Sequence, residues 1–271
     1  MPFVTSGNAR IHWEATGSGT PVLLIMGHLY SSKMWYPLLP ELAERHRVIT
    51  FDNRGTGDSD TTGGLTVEQM TADALAVLNA AGVDKAHVYG VSMGGGIAGE
   101  FAMAHPERCL SVTLGCTLLK TEDVKRGGSR APWLYYMPLW LVRLMMRRGG
   151  KPEAYGSAAP HDAALHDMAV LATEKFTMKG VREQNLAIQK YSTSRTRAQQ
   201  RITMPTLVLH GDEDATVDVK YGRELAEILP HAKLVVFAGA AHNYLIGSGG
   251  KSNRVFIDFI EAVDAGDGVS A

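Results

Sequence analysis

Short apolar runs bounded by turn-forming residues recur along this chain, and stretches of helical periodicity lie between them. The runs at 21–26, 47–52, 86–89, 110–115, 206–210 and 233–237 read as strands. They are nearly continuous rather than alternating, as strands covered on both faces are. Ala9 to Ala15 reads as one arm of an N-terminal hairpin that turns at Gly7-Asn8. Helices are expected around Trp35 to Arg45, over Thr66 to Ala81 and over Gly95 to His105. The second carries Val67, Met70, Ala74, Leu75, Val77 and Leu78 on one face, with Thr66 as N-cap and Gly82 as stop. Strand–helix alternation of this kind predicts an α/β fold built on a doubly wound, mostly parallel sheet.

The alternation breaks between Leu118 and Thr203, where only helical patterns occur. The expected organisation is a core of residues 1–117 and 204–271, interrupted by an all-helical cap over 118–203. The cap opens with a polar, basic loop from Lys120 to Arg130 and continues into a greasy segment from Pro132 to Met146. That segment falls short of the ~20 apolar residues a membrane span needs, and Pro138 and Arg143 interrupt it. It reads either as a helix buried on the sheet or as a lid. As a lid, Trp133, Tyr136, Met137, Trp140 and Met145 would wall an apolar substrate-binding pocket. Two further amphipathic helices are expected between His161 and Gln200.

Composition narrows the partners. At 271 residues, 45% hydrophobic and 20% charged, the chain can bury a sizeable core in one large domain with an insertion. A net charge of −1 with no long run of one sign gives nucleic acid and anionic membrane no foothold. The expected partner is a small-molecule substrate, with homodimerisation left open. Met1 to Gly7 lacks a basic region followed by an apolar core, so a cytoplasmic location is the expectation. Cys109 and Cys116 lie in one predicted strand, ~23 Å apart and far beyond the ~7 Å reach of a disulfide. Both read as core thiols without metal-ligand spacing.

Gly90-Val91-Ser92-Met93-Gly94 follows the run Ala86-His87-Val88-Tyr89 and leads into a helix. A serine on so tight a strand-to-helix turn is held in strained backbone, and the residues two before and two after it must be small. The helix that follows aims its free N–H groups at a site where negative charge develops during acyl transfer. No nucleotide-binding fingerprint is present, because Gly17-Ser18-Gly19 precedes a strand and no Gly-Lys-Ser/Thr occurs. No metal or organic cofactor is implied.

Five motifs stand in order around the cap: Met26-Gly27-His28, Phe51 to Ser59 (FDNRGTGDS), Gly90 to Gly95, His210 to Asp214 (HGDED), and Phe237 to His242 (FAGAAH). On these the chain resembles the α/β-hydrolase superfamily over nearly its whole length. The surroundings of Ser92, with Ala104-His105-Pro106-Glu107-Arg108 after them, are most similar to the 3-oxoadipate enol-lactonase and small-ester hydrolase branch.

The resemblance implies a triad of Ser92 as nucleophile, His242 as base and Asp214 as the acid that orients it, in the chain order Ser…Asp…His. His87, His105 and His166 lack the placement of His242 after the last strand. Rival acids are Asp212, Glu213 and Asp218 in the same loop, and Glu122 or Asp123 beyond the preceding strand. The oxyanion hole is expected from the backbone N–H groups of His28 and Met93. Three positions depart from the common pattern: Met26-Gly27-His28 in place of His-Gly, Asp218 in place of proline, and Ala241 in place of glycine. Asp52-Asn53-Arg54-Gly55 reads as a structural loop tied together by Arg54. The function implied is serine-dependent cleavage of a carboxylic ester or lactone through an acyl-enzyme. The alternatives are a carbon–carbon hydrolase of a ring-cleavage pathway and a ligand receptor on the same fold. Asn243 stands where that hydrolase group commonly carries tryptophan.

Overall fold

The computed structural model describes residues 2–119, 137, 138, 140, 141 and 154–267. The first hairpin pairs β1 (Phe3–Ser6) with β2 (Ala9–Thr16), and Gly7 supplies the left-handed turn at φ 55°. Six strands follow: β3 (Thr20–Ile25), β4 (His46–Phe51), β5 (Ala86–Val91), β6 (Cys109–Gly115), β7 (Thr206–Gly211) and β8 (Ala232–Phe237). They form one eight-stranded sheet in the order β1-β2-β4-β3-β5-β6-β7-β8. Pairing is antiparallel from β1 to β4 and parallel from β4 to β8.

The nearly continuous apolar runs follow from the two covered faces. Leu23 and Ile25 face Met70, Val77, Ile97 and Phe101 on one side of the sheet. Val22 and Leu24 face Trp35, Leu38, Phe256 and Ile260 on the other. Successive side chains of a strand point to opposite faces, so every position meets a core. The helix Val67–Ala80 starts on a capping box between Thr66 and Gln69, and Gly82 turns the chain at φ 65°.

Two helical expectations change. The helix expected over Trp35–Arg45 is replaced by a 3-10 turn at Ser32–Trp35 and a single helical turn at Leu39–Leu42. Pro37 and Pro40 remove the N–H groups that a continuous helix would need. Between His161 and Gln200 three helices stand where two were expected: His161–Leu171, Met178–Lys190 and Arg195–Arg201. Thr177 and Ser194 cap the second and third, so their side chains start new helices.

Register positions the chemistry. Ile25 lies beside Gly90, Gly90 beside Leu114, Gly115 beside Leu209, and Gly211 beside Phe237. The chain segments that follow β3, β5, β6, β7 and β8 therefore leave the sheet at one common edge. β4 and β5 flank β3 on opposite sides, so the winding direction reverses there and a crevice opens between the segments.

Arg54 braces the opposite flank. Its guanidinium donates to both oxygens of Asp73, at 2.6 and 2.7 Å, and also to the Ser6 carbonyl and the Asn8 side chain. One buried ion pair thus ties the loop after β4 to the first hairpin and to the helix Val67–Ala80. Asp73→Ala strands the buried guanidinium, and we expect a loss of about 3–5 kcal/mol of stability. Urea unfolding with an unchanged m-value checks this, and a loss under about 1 kcal/mol would contradict it.

Candidate active site

Ser92 sits between β5 and the helix Met93–Ala104 at φ 54° and ψ −119°, a backbone state that few L-residues adopt. Its neighbours leave no choice of side chain. A Cβ at Gly90 would run into the Gly94 carbonyl, and one at Gly94 into the carbonyls of Ile25 and Met26. The Ser92 N–H donates to the Gly115 carbonyl at 2.8 Å. The Ser92 carbonyl accepts from the amides of Gly95 and Gly96 and from the Thr117 hydroxyl.

His242 comes from the segment after β8, and its Nε2 lies 3.0 Å from Ser92 Oγ. Its Nδ1 lies 2.7 Å from Asp214 Oδ2, in the segment after β7. Asp214 Oδ1 accepts from the amides of Thr216 and Val217, at 2.8 and 2.9 Å. Burial opposes the charge on Asp214, but hydrogen bonds from His210 and His242 outweigh it and hold the carboxyl well below the usual range. A carboxylate so placed fixes the imidazole with Nδ1 protonated and leaves Nε2 free to accept the serine proton. The nearby acids serve other contacts. Asp212 accepts from the Gly239 amide, Glu213 from the Ser157 amide and hydroxyl, and Asp218 caps a helix. Glu122 and Asp123 lie outside the described residues.

The segment after β3 runs beside the serine. A Cβ on Gly27 would lie 3.3 Å from Ser92 Cβ, so the backbone leading to His28 passes close to Ser92. Two bonds pin that segment: Asn53 Nδ2 donates to the Met26 carbonyl at 2.8 Å, and the Leu29 amide donates to Gln184 Oε1 at 3.0 Å. Leu29 takes φ 81° to do so. The His28 ring reaches the Val181 carbonyl at 2.9 Å. Burial lowers its pKa despite that contact, so the ring is neutral near pH 7. Met93 opens the helix behind Ser92, where backbone N–H groups face the crevice.

A cavity of about 350 Å³ lies over Ser92 and His242. Its described walls include Met34, Tyr155, Leu171 and Leu245, with Asp167 and Asn243 as polar members. The anticipated cap wall differs. Trp140 is 67% exposed and Met137 half-buried, and neither belongs to the described lining. Trp133, Tyr136 and Met145 lie outside the described residues. From the chain between β6 and β7, the described lining takes Ala154, Tyr155 and, on the helix His161–Leu171, Asp167 and Leu171.

Cys116 reads in the sequence as a core thiol, yet it follows β6 at the same sheet edge and lines the cavity. It adopts φ 38°, and its sulfur lies within 4.8 Å of ligand-type atoms of both Asp214 and His242. The only clue in the sequence was its position at the C-terminal end of a predicted strand. These three residues, and separately His12, Asp52 and Asp58, could each supply three metal-ligating atoms. A metal on the first set would occupy the imidazole that reaches Ser92 Oγ.

The alpha/beta hydrolase fold family model matches residues 20–248, and the chain belongs to that family. It is 31% identical to RutD of Azorhizobium caulinodans, which carries the name carbamate hydrolase, across 97% of this chain and 100% of that protein. An esterase from Exiguobacterium antarcticum superposes with a TM-score of 0.83 at 20% identity, covering 96% of this chain and 98% of that one. The enol-lactonase of Burkholderia xenovorans superposes with a TM-score of 0.77 at 22% identity, covering 96% and 100%. Among the described residues no helix is long and apolar enough to cross a membrane.

Burial lowers the basicity of His242, but the neighbouring Cys116 sulfur and the bond and charge of Asp214 outweigh it and raise its pKa. A base works only unprotonated, so kcat/KM should climb with pH through an inflection above 6.5. Cys116→Ala removes one raising group and should move that inflection to lower pH. A profile unchanged by the substitution would refute a role for Cys116 in setting it.

Proposed function

We propose that this chain is a serine hydrolase that cleaves a carboxylic ester or lactone of a small organic molecule through an acyl-enzyme on Ser92. The supporting observation is the unbroken line of contacts from Ser92 Oγ through His242 to Asp214, lining a cavity of about 350 Å³. The names of the relatives point the same way, since carbamates, esters and lactones all react at an acyl carbonyl.

In this reading His242 Nε2 takes the Ser92 proton as Oγ attacks the carbonyl carbon. The oxygen that gains charge is held by the backbone N–H groups of His28 and Met93. Collapse of the tetrahedral adduct breaks the acyl–oxygen bond, and His242 returns the proton to the departing alkoxide. Water then attacks the acyl-enzyme, His242 again taking the proton, and Ser92 leaves as its hydroxyl. Asp214 stabilises the imidazolium in both halves without changing protonation state. Residues 118–203 act as a helical cap that decides which acyl or alcohol group fits.

A fluorophosphonate probe should label wild-type protein at Ser92 and leave Ser92→Ala unlabelled. Hydrolysis of a short neutral aryl ester should fall by a factor on the order of 10⁴–10⁶ in Ser92→Ala. Asp214→Asn should lower it about 10⁴-fold by losing the tautomer. Full turnover by Ser92→Ala, with its mass verified, would sink the assignment.

A further inference from the structure

The cavity over Ser92 contains a charge that the chemistry above does not use. Asp167, on the helix His161–Leu171, is 1% exposed, yet it belongs to the cavity wall. Its Oδ1 accepts from the Tyr36 hydroxyl at 2.8 Å. Its Oδ2 accepts from the Tyr155 hydroxyl and from Asn243 Nδ2, both at 2.9 Å. Each carboxylate oxygen can accept about two hydrogen bonds, so Oδ2 is filled and Oδ1 keeps capacity for one more donor.

Three neutral donors spread the negative charge without cancelling it. Among the described residues no lysine or arginine forms an ion pair with Asp167, and the charge influence that lowers its pKa comes from His166 on its own helix. Burial pushes its pKa up against the pull of all three donors, as expected for a carboxylate short of positive charge. The described cavity wall contains no lysine or arginine and no second carboxylate. Glu174, bonded to the Ser31 amide and hydroxyl, adds a further buried carboxylate whose charge, with that of Asp167, is felt at Tyr30 on the wall. A ligand entering this space meets the Asp167 carboxylate, set apart from the His242–Asp214 pair, in a medium that screens weakly.

We propose that Asp167 is a specificity-determining residue: it selects substrates bearing a hydrogen-bond donor, best of all an ammonium group, and rejects those bearing a carboxylate in the same place. The proposal rests on Ser92 attacking substrate within this same cavity. Asn243 connects the two sites, since it bonds Asp167 and directly follows His242 in the chain. Selection works by leaving Asp167 better paired with one ligand than another, so an anionic competitor is excluded by repulsion rather than by shape.

A rigid, shape-matched series tests this. The 4-nitrophenyl esters of 4-(aminomethyl)benzoic acid, 4-ethylbenzoic acid and terephthalic acid share the scissile bond and differ in one end: ammonium, neutral and carboxylate. Wild-type kcat/KM should fall in that order, by about 10-fold or more from first to last. Asp167→Asn should bring the three values within about threefold of one another, chiefly through KM. A structural role alone would lower all three rates together and keep their ratio. Tyr155→Phe removes one donor from Asp167 and should widen the preference for the ammonium ester, which guards against a poorly folded Asp167→Asn. Calorimetric binding of benzylamine and of benzoate to Ser92→Ala protein supplies an arm independent of turnover, with benzylamine expected to bind more tightly. Hydrolysis of the neutral ester with no charge preference, or with the carboxylate preferred, overturns the role of Asp167 and leaves the serine mechanism standing. Failure to hydrolyse any ester while the binding order holds overturns the mechanism and leaves the charge selection standing.

Discussion

Ser92 is held where an unconstrained serine would not stay. A residue at positive φ costs about 1–3 kcal/mol, and it persists only when its surroundings overdetermine it. Here the surroundings are parallel strands in tight register. The Gly115 carbonyl at the end of β6 takes the Ser92 amide, while the missing side chains of Gly90 and Gly94 let the turn close against the carbonyls after β3. Loosening any of these contacts would let the serine relax toward ordinary backbone and carry Oγ away from His242.

The same edge of the sheet handles two buried carboxylates in opposite ways. Asp214 receives two amides and two imidazoles, so its charge is stabilised and its pKa falls. Asp167 receives three neutral donors and no cation among the described residues, and its pKa rises. Desolvation acts on both; the difference lies in what faces them. One carboxylate serves an imidazole inside the protein, and the other faces the space where a ligand enters.

The helices between β6 and β7 do more than roof the cavity. Val181, Gln184, Glu174 and Asp167 all reach the segment after β3, contacting His28, Leu29, Ser31 and Tyr36 in turn. That segment also passes beside Ser92 through Gly27. These residues are thus fastened to the backbone that runs past Ser92. Substitutions among them can change both the shape of the cavity and the position of the His28 amide.

Local patterns determined much of this protein. The apolar runs located the parallel strands to within two residues at each end, because a strand covered on both faces has no polar side to show. Glycines two before and two after Ser92 made the strained turn legible, since only residues without side chains fit there. The family resemblance pointed to His242 and Asp214 in the segments after β8 and β7, and the structure places His242 between Ser92 and Asp214 at hydrogen-bonding distance from each. The tertiary structure decided what depends on contacts between distant segments. Asp167 is the buried residue of a helix whose sequence shows no reason for it, and its partners lie 131, 12 and 76 positions away. Cys116 looked like any core thiol until the register of β6 placed it beside His242. Trp140 looked like a pocket wall because it is large and apolar, yet it is exposed. Periodicity reports what a segment must bury, but which neighbour buries it, and which polar group is left facing the cavity, is set only when the segments pack.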